Sequence, residues 1–219
     1  MIIAIDGPAG SGKTTTAYQL AKKIGFSYLD TGATYRLLTL KALREKVDLE
    51  NFQEIKTLAE GLDIRMEANK IYLDKEDVTD EIRTPLIDKA ISKIAVNPLA
   101  REVLVEIQRK IAQGKNCVVE GRDTTTVVFP DAEFKFYLDA HPDTRVKRRY
   151  LELQQRGITI SLDDVDHNLK KRDHADTSRK TGPLKKSAGA ICVDTTSLTI
   201  EETVEKLLSY MQGSVEVNG

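Results

Sequence analysis

The stretch GPAGSGKT, residues 7–14, decides the fold of this chain. It matches the pattern G-x-x-x-x-G-K-[ST] in full. The short apolar run Ile2–Asp6 precedes it, and helical periodicity follows over residues 13–24 until Gly25 ends it. A glycine loop between a buried strand and a helix is the setting in which this pattern binds the phosphates of a nucleoside triphosphate.

Each residue type in this loop has a physical role toward phosphate. Glycines let the backbone curl so that successive N–H groups point at phosphate oxygens, and the following helix adds the positive end of its dipole. Lys13 can supply a point charge to the β- and γ-phosphates, and the Thr14 hydroxyl can ligate Mg²⁺. The sequence therefore predicts binding of a nucleoside triphosphate together with magnesium.

Strand, loop and helix patterns alternate along most of the chain. Thr31-Gly32 begins a predicted helix that runs to about Lys46, and the last helix begins at Thr199 in a capping-box pattern with Glu202 and fades at Gly213. Besides the first strand, short apolar runs predict strands at Phe26–Asp30, Asn116–Glu120, Glu133–Asp139 and Ala190–Asp194. We expect an α/β protein with the P-loop NTPase fold, in which helices flank a parallel, five-stranded central sheet.

A small insertion interrupts the alternation. Over Leu62–Val78 the pieces DIRME, KIYLD and EDV alternate in polarity, with a turn at Ala68-Asn69, and predict a small antiparallel sheet. Helices are predicted to start at Thr84-Pro85 and Asn97-Pro98, because proline suits the first helical position. The insertion would span residues 62–96, between the parts 1–61 and 97–141 of a core that residues 187–219 complete.

A second region, Pro142–Lys186, carries twelve Lys and Arg residues against seven Asp and Glu residues. Its pattern predicts two polar helices joined around Gly157. Such a basic hairpin is either a mobile lid over phosphates or a solvated face. We expect the lid, over residues 142–186.

Bulk composition excludes several classes of protein. The chain has 219 residues, a formal net charge of −1 and 40% hydrophobic residues, which favours a globular protein without bulk attraction to nucleic acid or membranes. No apolar run approaches the roughly 18 residues that a membrane span needs, and MIIAID leads directly into the glycine loop, so we expect no signal peptide and a cytoplasmic protein. Cys117 and Cys192 lie in predicted strands and are expected to be buried, inert thiols.

Other segments indicate which reaction the chain carries out with the triphosphate. An N-K-x-D base-reading motif and an L-S-G-G-Q-like signature are both absent from the sequence, which argues against a GTPase and a transporter-type ATPase. The segments Asp30–Arg36 and Glu120–Asp123 follow predicted strands, where open α/β sheets bind ligands. Arg172, Asp176 and Arg179 share one helical face, which is either part of a site or a solvated charged face. The short chain and the basic hairpin favour a kinase for a small acceptor, and these segments fit an acceptor site.

Together, these segments resemble the bacterial cytidylate kinase family of nucleoside monophosphate kinases. The resemblance covers nearly the whole chain through IDGPAGSGKTT, LDTGATYR, EDVTDEIRT, GRD with TVVFPDAEFKFYLDA, RRYLELQQRG, KRDHADTSR and SLTIEE. It implies ATP-dependent phosphorylation of CMP and dCMP in pyrimidine nucleotide metabolism. It also implies that the insertion is a small monophosphate-binding domain and that the basic hairpin is a lid.

The resemblance further implies roles for the matching residues. Lys13, Arg122 and Arg172 would be the catalytic cations, and Thr14 would bind Mg²⁺ with Glu120 acting through a water. ATP would be held by Gly7, Pro8, Ala9, Gly10, Ser11, Gly12, Lys13, Thr14 and Thr15, with Arg148 and Arg149 over the nucleotide. CMP would be bound by Thr31, Tyr35, Arg36, Ser92, Arg101, Arg122, Asp123, Arg172, Asp176 and Arg179.

Within the CMP set, the roles divide by the part of the nucleotide. Thr31, Arg36 and Arg122 would grip the phosphate. Ser92, Arg101 and Asp123 would face the cytosine. Asp176 would hydrogen-bond the ribose hydroxyls, with Arg179 beside it.

Two residues depart from the family pattern. Glu120 stands where the family usually has Asp, and Thr125 where it usually has Gly. Glu120 keeps the charge but reaches one methylene further. Thr125 lacks the freedom of glycine to adopt a positive φ, so a turn that needs this conformation would shift.

Other functions remain open at this stage. The acceptor could be UMP, AMP, dTMP or a non-nucleotide such as shikimate, or the chain could be a nucleotide-binding regulator with little turnover. On the cytidylate kinase hypothesis the partners are ATP and CMP or dCMP. Nucleic acid and membranes are not expected as partners, and the chain is expected to be a monomer.

Overall fold

A computed structural model describes residues 1–67 and 70–216. Its strands are β1 (Ile2–Asp6), β2 (Ser27–Asp30), β3 (Ile64–Glu67), β4 (Lys70–Leu73), β5 (Glu76–Asp77), β6 (Cys117–Gly121), β7 (Phe134–Asp139) and β8 (Ile191–Asp194). Its helices are α1 (Lys13–Ile24), α2 (Thr31–Arg44), α3 (Phe52–Glu60), α4 (Pro85–Ala95), α5 (Pro98–Ala112), α6 (Pro142–Gln155), α7 (Leu162–Ser178) and α8 (Ile200–Glu216). A 3₁₀ turn covers Glu81–Arg83 and a π-helical turn covers Thr124–Val128.

The central sheet has five strands in the order β2-β6-β1-β7-β8. β1 pairs in parallel with β6 and β7, and β7 pairs in parallel with β8. The strands read as continuous apolar runs because helices cover them: Ile3, Ile5 and Phe136 are fully buried. α1 and α8 contribute Leu20 and Leu207 to this same core. The predicted α/β fold with a five-stranded parallel sheet is confirmed.

The chain divides into two compact units, the first made of Met1–Tyr28 with the described part of Lys115–Gly219, and the second of Leu29–Gly114. In the second unit, α2, α3 and α5 share an apolar core that includes Leu38, Ile55 and Leu104. The antiparallel sheet β3-β4-β5 packs Ile71 and Leu73 into a neighbouring core with residues of α2. The predicted small antiparallel sheet is confirmed, while the predicted turn at Ala68-Asn69 lies outside the described residues.

The first unit also contains the predicted helical hairpin. α6 and α7 pack against each other through Val146, Leu153, Val165 and Leu169, and this cluster includes Ala9 of the glycine loop. Gly157 between the helices has φ 72°, a left-handed conformation that favours glycine. The two polar helices are confirmed.

Several helix ends differ from the prediction for local reasons. α2 ends at Arg44 rather than Lys46, because Lys46 adopts φ 58° and the Val47 N–H returns to the Ala42 carbonyl. α8 continues past Gly213 to Glu216, since a glycine inside a helix costs only about 1 kcal/mol. The capping box at its start is confirmed by reciprocal hydrogen bonds between Thr199 and Glu202.

The two cysteines lie in different environments. Cys117 is buried, as predicted, but Cys192 is exposed, so the prediction of a second buried thiol is wrong. β8 is the edge strand of the sheet, and successive residues of a strand point to opposite faces. Val193 is buried, whereas Cys192 and Asp194 on the other face are exposed.

Across residues 1–67 and 70–216, no helix has both the length and the apolar character that a membrane crossing requires.

Candidate active site

The glycine loop between β1 and α1 forms the centre of the first unit's candidate site. A Cβ atom on Gly7 would lie 2.1 Å from the Leu138 carbonyl oxygen, so only glycine lets the loop leave β1 at this point. Gly10 has φ 76°, and a Cβ there would lie 2.8 Å from the Arg145 carbonyl oxygen. The loop is therefore fixed both by its backbone conformation and by close contact with β7 and α6.

Lys13, Thr14 and Glu120 form a polar group at the start of α1, in which Lys13 and Glu120 are buried and Thr14 is exposed. Lys13 is only 5% exposed. Its Nζ donates to the Pro8 carbonyl at 3.3 Å and lies 4.0 Å from a carboxylate oxygen of Glu120. The Thr14 hydroxyl donates to the other oxygen of Glu120 at 2.8 Å. Glu120 lies next to the last residue of β6, which pairs with β1, and its side chain reaches both Lys13 and Thr14.

Oxygen donors in this group suit a hard divalent cation. The Thr14 hydroxyl and the Glu120 carboxylate are oxygen ligands of the type that Mg²⁺ prefers. Within the described residues, no group of three or more His, Cys, Asp or Glu side chains is placed to hold a metal. A magnesium ion with few protein ligands matches this arrangement, because Mg²⁺ keeps several waters and uses substrate phosphates as ligands.

Arg148 of α6 lies beside the loop and is held by the segment after β8. Its guanidinium donates to the Thr195 hydroxyl at 2.9 Å, the Thr195 carbonyl at 2.6 Å and the Leu198 carbonyl at 3.3 Å. Thr195 in turn donates to the Ser11 carbonyl of the loop at 3.0 Å. Burial lowers the pKa of Arg148. Arg149, also predicted for ATP, forms an ion pair with Glu152 at 2.9 Å.

A second contact joins the helical hairpin to the loop. Arg145 donates to the Ala9 carbonyl at 3.1 Å and forms an ion pair with Asp173 of α7. No sequence motif marks Arg145 or Thr195. Asp173 could have been predicted as a site residue, because it lies inside the R-D-x-x-D-x-x-R segment.

Four charged residues form a network where the loop after β6 meets α7. Arg122 donates through Nε to Asp176 at 2.8 Å. Arg179 lies 3.5 Å from Asp176 and 3.5 Å from Asp123. All four side chains are at least about 85% buried. The structure therefore brings together Arg122, Asp123, Asp176 and Arg179, which the sequence assigned to one site.

Electrostatics in this network favour the charged forms of Asp176 and Arg122. Burial alone would raise the pKa of Asp176, but the positive charges of Arg122, Arg172 and Arg179 and the hydrogen bond from Arg122 outweigh it, so the pKa is lowered. Burial likewise opposes the charge of Arg122, but Asp176 and Glu120 overcome it and raise its pKa. Arg172 thus belongs to the same cluster through its attraction to Asp176.

Thr125 follows this network and is accommodated without strain. Its φ is not positive, so the turn does not need the freedom of glycine. The buried carboxylate of Asp6 accepts hydrogen bonds from the Thr125 N–H at 2.8 Å and from its hydroxyl at 2.6 Å. The condition under which a threonine would shift the turn, a positive φ at this position, is therefore not met.

In the second unit, Tyr35 and Arg101 contact each other. The Arg101 guanidinium lies 5.4 Å from the centre of the Tyr35 ring and donates to the Ala95 carbonyl at 3.3 Å. Both residues are buried, and so is Thr31, which starts α2. Ser92 lies on α4 and is exposed.

Arg36 of α2 is held in a fixed orientation. It donates to the Ile82 carbonyl at 3.0 Å and pairs with Asp88 at 2.6 Å. The Asp30 side chain caps the same helix by accepting from the Ala33 N–H at 3.1 Å. No local pattern marks the partner Asp88, because it lies 52 residues from Arg36.

The parallel sheet, the glycine loop and the buried Lys13 together define a nucleotide-binding protein of the P-loop class. A solved structure of shikimate kinase from Bacteroides thetaiotaomicron is similar in fold, with a TM-score of 0.50 and 14% sequence identity over 97% of this chain and 98% of that one. An uncharacterized protein from Eubacterium ventriosum has a TM-score of 0.55 at 15% identity, over 97% of this chain and 98% of that chain. At these identities the likeness concerns the fold alone.

Sequence comparison narrows this class to one family. The cytidylate kinase family model matches residues 3–213. A cytidylate kinase of Caldanaerobacter subterraneus subsp. tengcongensis is 51% identical over 94% of this chain and 92% of its own length. A cytidylate kinase of Carboxydothermus hydrogenoformans is 48% identical over 96% of this chain and 97% of its own. The chain belongs to the cytidylate kinase family, and the prediction of a phosphotransferase enzyme is confirmed.

Proposed function

We propose that this chain transfers the γ-phosphoryl group of ATP to CMP and dCMP, releasing ADP with CDP or dCDP. The observation that supports this most is the position of the segment Glu120–Asp123. Its first residue contacts Lys13 and Thr14 of the glycine loop, while its last two residues pair with Asp176 and Arg179. One short segment at the end of β6 therefore connects the residues proposed for ATP with residues proposed for the acceptor.

The chemistry requires positive charge rather than a protein nucleophile. The phosphate of CMP is already an anionic nucleophile at neutral pH, so the enzyme must overcome repulsion between two polyanions and stabilise charge on the group in transit. Lys13, Arg122 and Arg172 supply that charge. Lys13 and Arg122 are buried, which strengthens their interaction with phosphate relative to water.

Thr14 and Glu120 would hold Mg²⁺, Thr14 directly and Glu120 through a water. The ion would neutralise charge on the β- and γ-phosphate oxygens when bound. The two oxygens that would serve it already converge in a hydrogen bond of 2.8 Å. The remaining loop residues, Gly7 to Thr15, present backbone N–H groups to the phosphates, with Arg148 and Arg149 proposed to lie over ATP.

Acceptor binding is proposed to divide between phosphate and base. Thr31, Arg36 and Arg122 grip the CMP phosphate, since a guanidinium held in place suits bidentate contact with a phosphate. Asp176 binds the ribose hydroxyls, with Arg179 beside it. Tyr35 packs against Arg101, and that stacking supports the orientation of its guanidinium.

Base recognition is proposed to rest on Asp123, Arg101 and Ser92. A carboxylate accepts from the exocyclic amino group of cytosine, and a guanidinium or hydroxyl donates to its ring nitrogen and carbonyl. Uracil presents a carbonyl where cytosine presents the amino group, so the same carboxylate repels it. The proposed set therefore favours cytosine.

We also propose that residues 142–186 act as a lid and residues 62–96 as a monophosphate-binding insertion to the core. The hairpin α6–α7 carries Arg148, Arg149 and Arg172, which gain phosphate partners when both nucleotides bind. A monomer in the cytoplasm is proposed as the working form, with ATP and CMP or dCMP as its partners.

Transfer of labelled phosphate tests the proposed function. The enzyme is incubated with CMP and ATP that carries ³²P at the γ position, and the products are separated by ion-exchange chromatography. We expect the label in the β-phosphate of CDP, and at least about 10²-fold slower labelling of CDP with Lys13→Ala at equal enzyme concentration. Normal binding of CMP and ATP without labelled CDP would instead favour a nucleotide-binding regulator.

A further inference from the structure

Asp6 is a buried carboxylate for which the proposed chemistry has no use. It ends β1, directly before the glycine loop, and is fully buried. Its Oδ1 accepts from the Thr124 N–H at 2.9 Å. Its Oδ2 accepts from the Thr125 N–H at 2.8 Å and the Thr125 hydroxyl at 2.6 Å. Three donors from one turn thus converge on a single side chain.

That turn is the π-helical segment Thr124–Val128. The Asp123 carbonyl accepts from the Val127 N–H at 2.8 Å and the Val128 N–H at 3.2 Å. The first N–H groups of a helical turn have no partner inside it. Asp6 supplies that partner for the first two, from a strand 118 residues earlier in the chain. Turns of this type are rare and are frequently found at functional sites.

Because the turn begins immediately after Asp123, whatever holds it also orients the two residues before it. The proposal that the loop after β6 binds the acceptor rests on Arg122 and Asp123. The hydroxyl of Thr125 adds a third anchor at a position where glycine would leave only the two backbone donors. Since Thr125 is only 2% exposed, water cannot replace this anchor freely.

We infer that Asp6 and Thr125 are positioning residues for the acceptor nucleotide: they hold the turn that presents Arg122 and Asp123 to CMP. The inference rests on the proposed function, because it takes the roles of Arg122 and Asp123 from it. Thr125 then also contributes to the preference for cytosine over uracil, because it helps to fix the orientation of Asp123.

If Asp6 and Thr125 had a purely structural role, their substitution would have a different effect. Asp6 is next to Gly7, so general loosening of this region would disturb the glycine loop as well and weaken ATP binding. A positioning role affects CMP alone. The Michaelis constants for the two substrates therefore separate the two roles.

The test compares Thr125→Val with Thr125→Ser. Valine keeps the shape but removes the hydroxyl, and serine restores it. For Thr125→Val we expect kcat/KM for CMP to fall roughly tenfold, the effect of losing one hydrogen bond to a charged group. The preference for CMP over UMP should fall with it, KM for ATP should stay within about twofold, and Thr125→Ser should recover most of the loss.

Thr203→Val is the matched control, because Thr203 is also buried but its hydroxyl donates at 2.7 Å to the Thr199 carbonyl within α8. Its kinetics should match those of the wild type. Thr125→Val kinetics within about twofold of the wild type, or equal losses toward ATP and CMP, would overturn the inference. If Thr125→Val does not fold, Thr125→Ala gives the same comparison. A wild-type enzyme inactive toward CMP would refute the proposed function itself, so the two failures are distinguishable.

Discussion

Removing the charge of Asp176 should destabilise the folded enzyme, because this one carboxylate pairs with two arginines. Asp176→Asn keeps the shape of the side chain but withdraws the negative charge from Arg122 at 2.8 Å and from Arg179 at 3.5 Å. Breaking a fully buried ion pair costs about 3–5 kcal/mol, and an exposed pair is worth at most about 1 kcal/mol. Asp176 and Arg122 are 14% and 15% exposed, and asparagine still accepts one hydrogen bond. We therefore expect a loss of about 2–3 kcal/mol in the free energy of unfolding.

Urea unfolding at pH 7 measures this difference, and Asp166→Asn is its control. Asp166 lies on the same helix and pairs with Lys170 at 2.6 Å, but at the surface. The control should change the free energy of unfolding by no more than about 0.5 kcal/mol. Equal stability of Asp176→Asn and the wild type would refute the account of the network.

The difference in the free energy of unfolding between the wild type and Asp176→Asn should depend on pH. The folded-state pKa of Asp176 lies below the ordinary value of 3.8, because the arginines outweigh the effect of burial. A carboxyl with a lowered pKa contributes stability that is fully present above its unfolded pKa and is lost as the pH falls through the folded one. The stability difference between wild type and Asp176→Asn should therefore be constant from pH 7 to about pH 5 and shrink below that. A difference that grows on acidification would contradict the lowered pKa.

Three further predictions concern other parts of the chain. Lys13→Ala should fold normally by circular dichroism but lose roughly 10²–10⁴-fold in kcat, since it removes a buried phosphate clamp; retention of more than about a tenth of the rate would contradict its role. Hydrogen exchange in residues 142–186 should slow when a bisubstrate analogue binds, whereas equal protection with and without it would favour a solvated face. Burial raises the pKa of Cys117 to about 11, so at pH 7.5 a thiol reagent should label the exposed Cys192 in the folded protein and reach Cys117 only after unfolding.

The parts of the fold that could be predicted from the sequence depend on contacts within short segments. The loop GPAGSGKT, its flanking strand and helix, and the capping box at Thr199 follow from residues close together in the chain. The helix Phe52–Glu60 was not predicted, because it is short and buries only Ile55 and Ala59. Its cap, where Asn51 accepts from the Glu54 N–H, was the available signal.

For the candidate site, too, only residues in local motifs could be predicted from the sequence, and contacts between distant segments could not. Residues in motifs, such as Arg122 and Asp176, could be identified because each lies in a recognisable run of sequence. Thr195 and Arg145 could not, since they act on the loop from segments 184 and 136 residues away and no local pattern marks them. The π-helical turn Thr124–Val128 likewise depends on Asp6, which joins it only in the folded chain.

Acceptor choice tests the central claim most directly. The rate of ADP formation is measured at saturating ATP with CMP, dCMP, UMP, AMP, dTMP and shikimate, each over a range of concentrations. Two mispaired buried groups cost at least about 1.4 kcal/mol each, so kcat/KM for CMP and dCMP should exceed that for UMP by at least about 10²-fold. Equal use of CMP and UMP would contradict the roles of Asp123, Arg101 and Ser92, and a preference for AMP, dTMP or shikimate would contradict the proposed function.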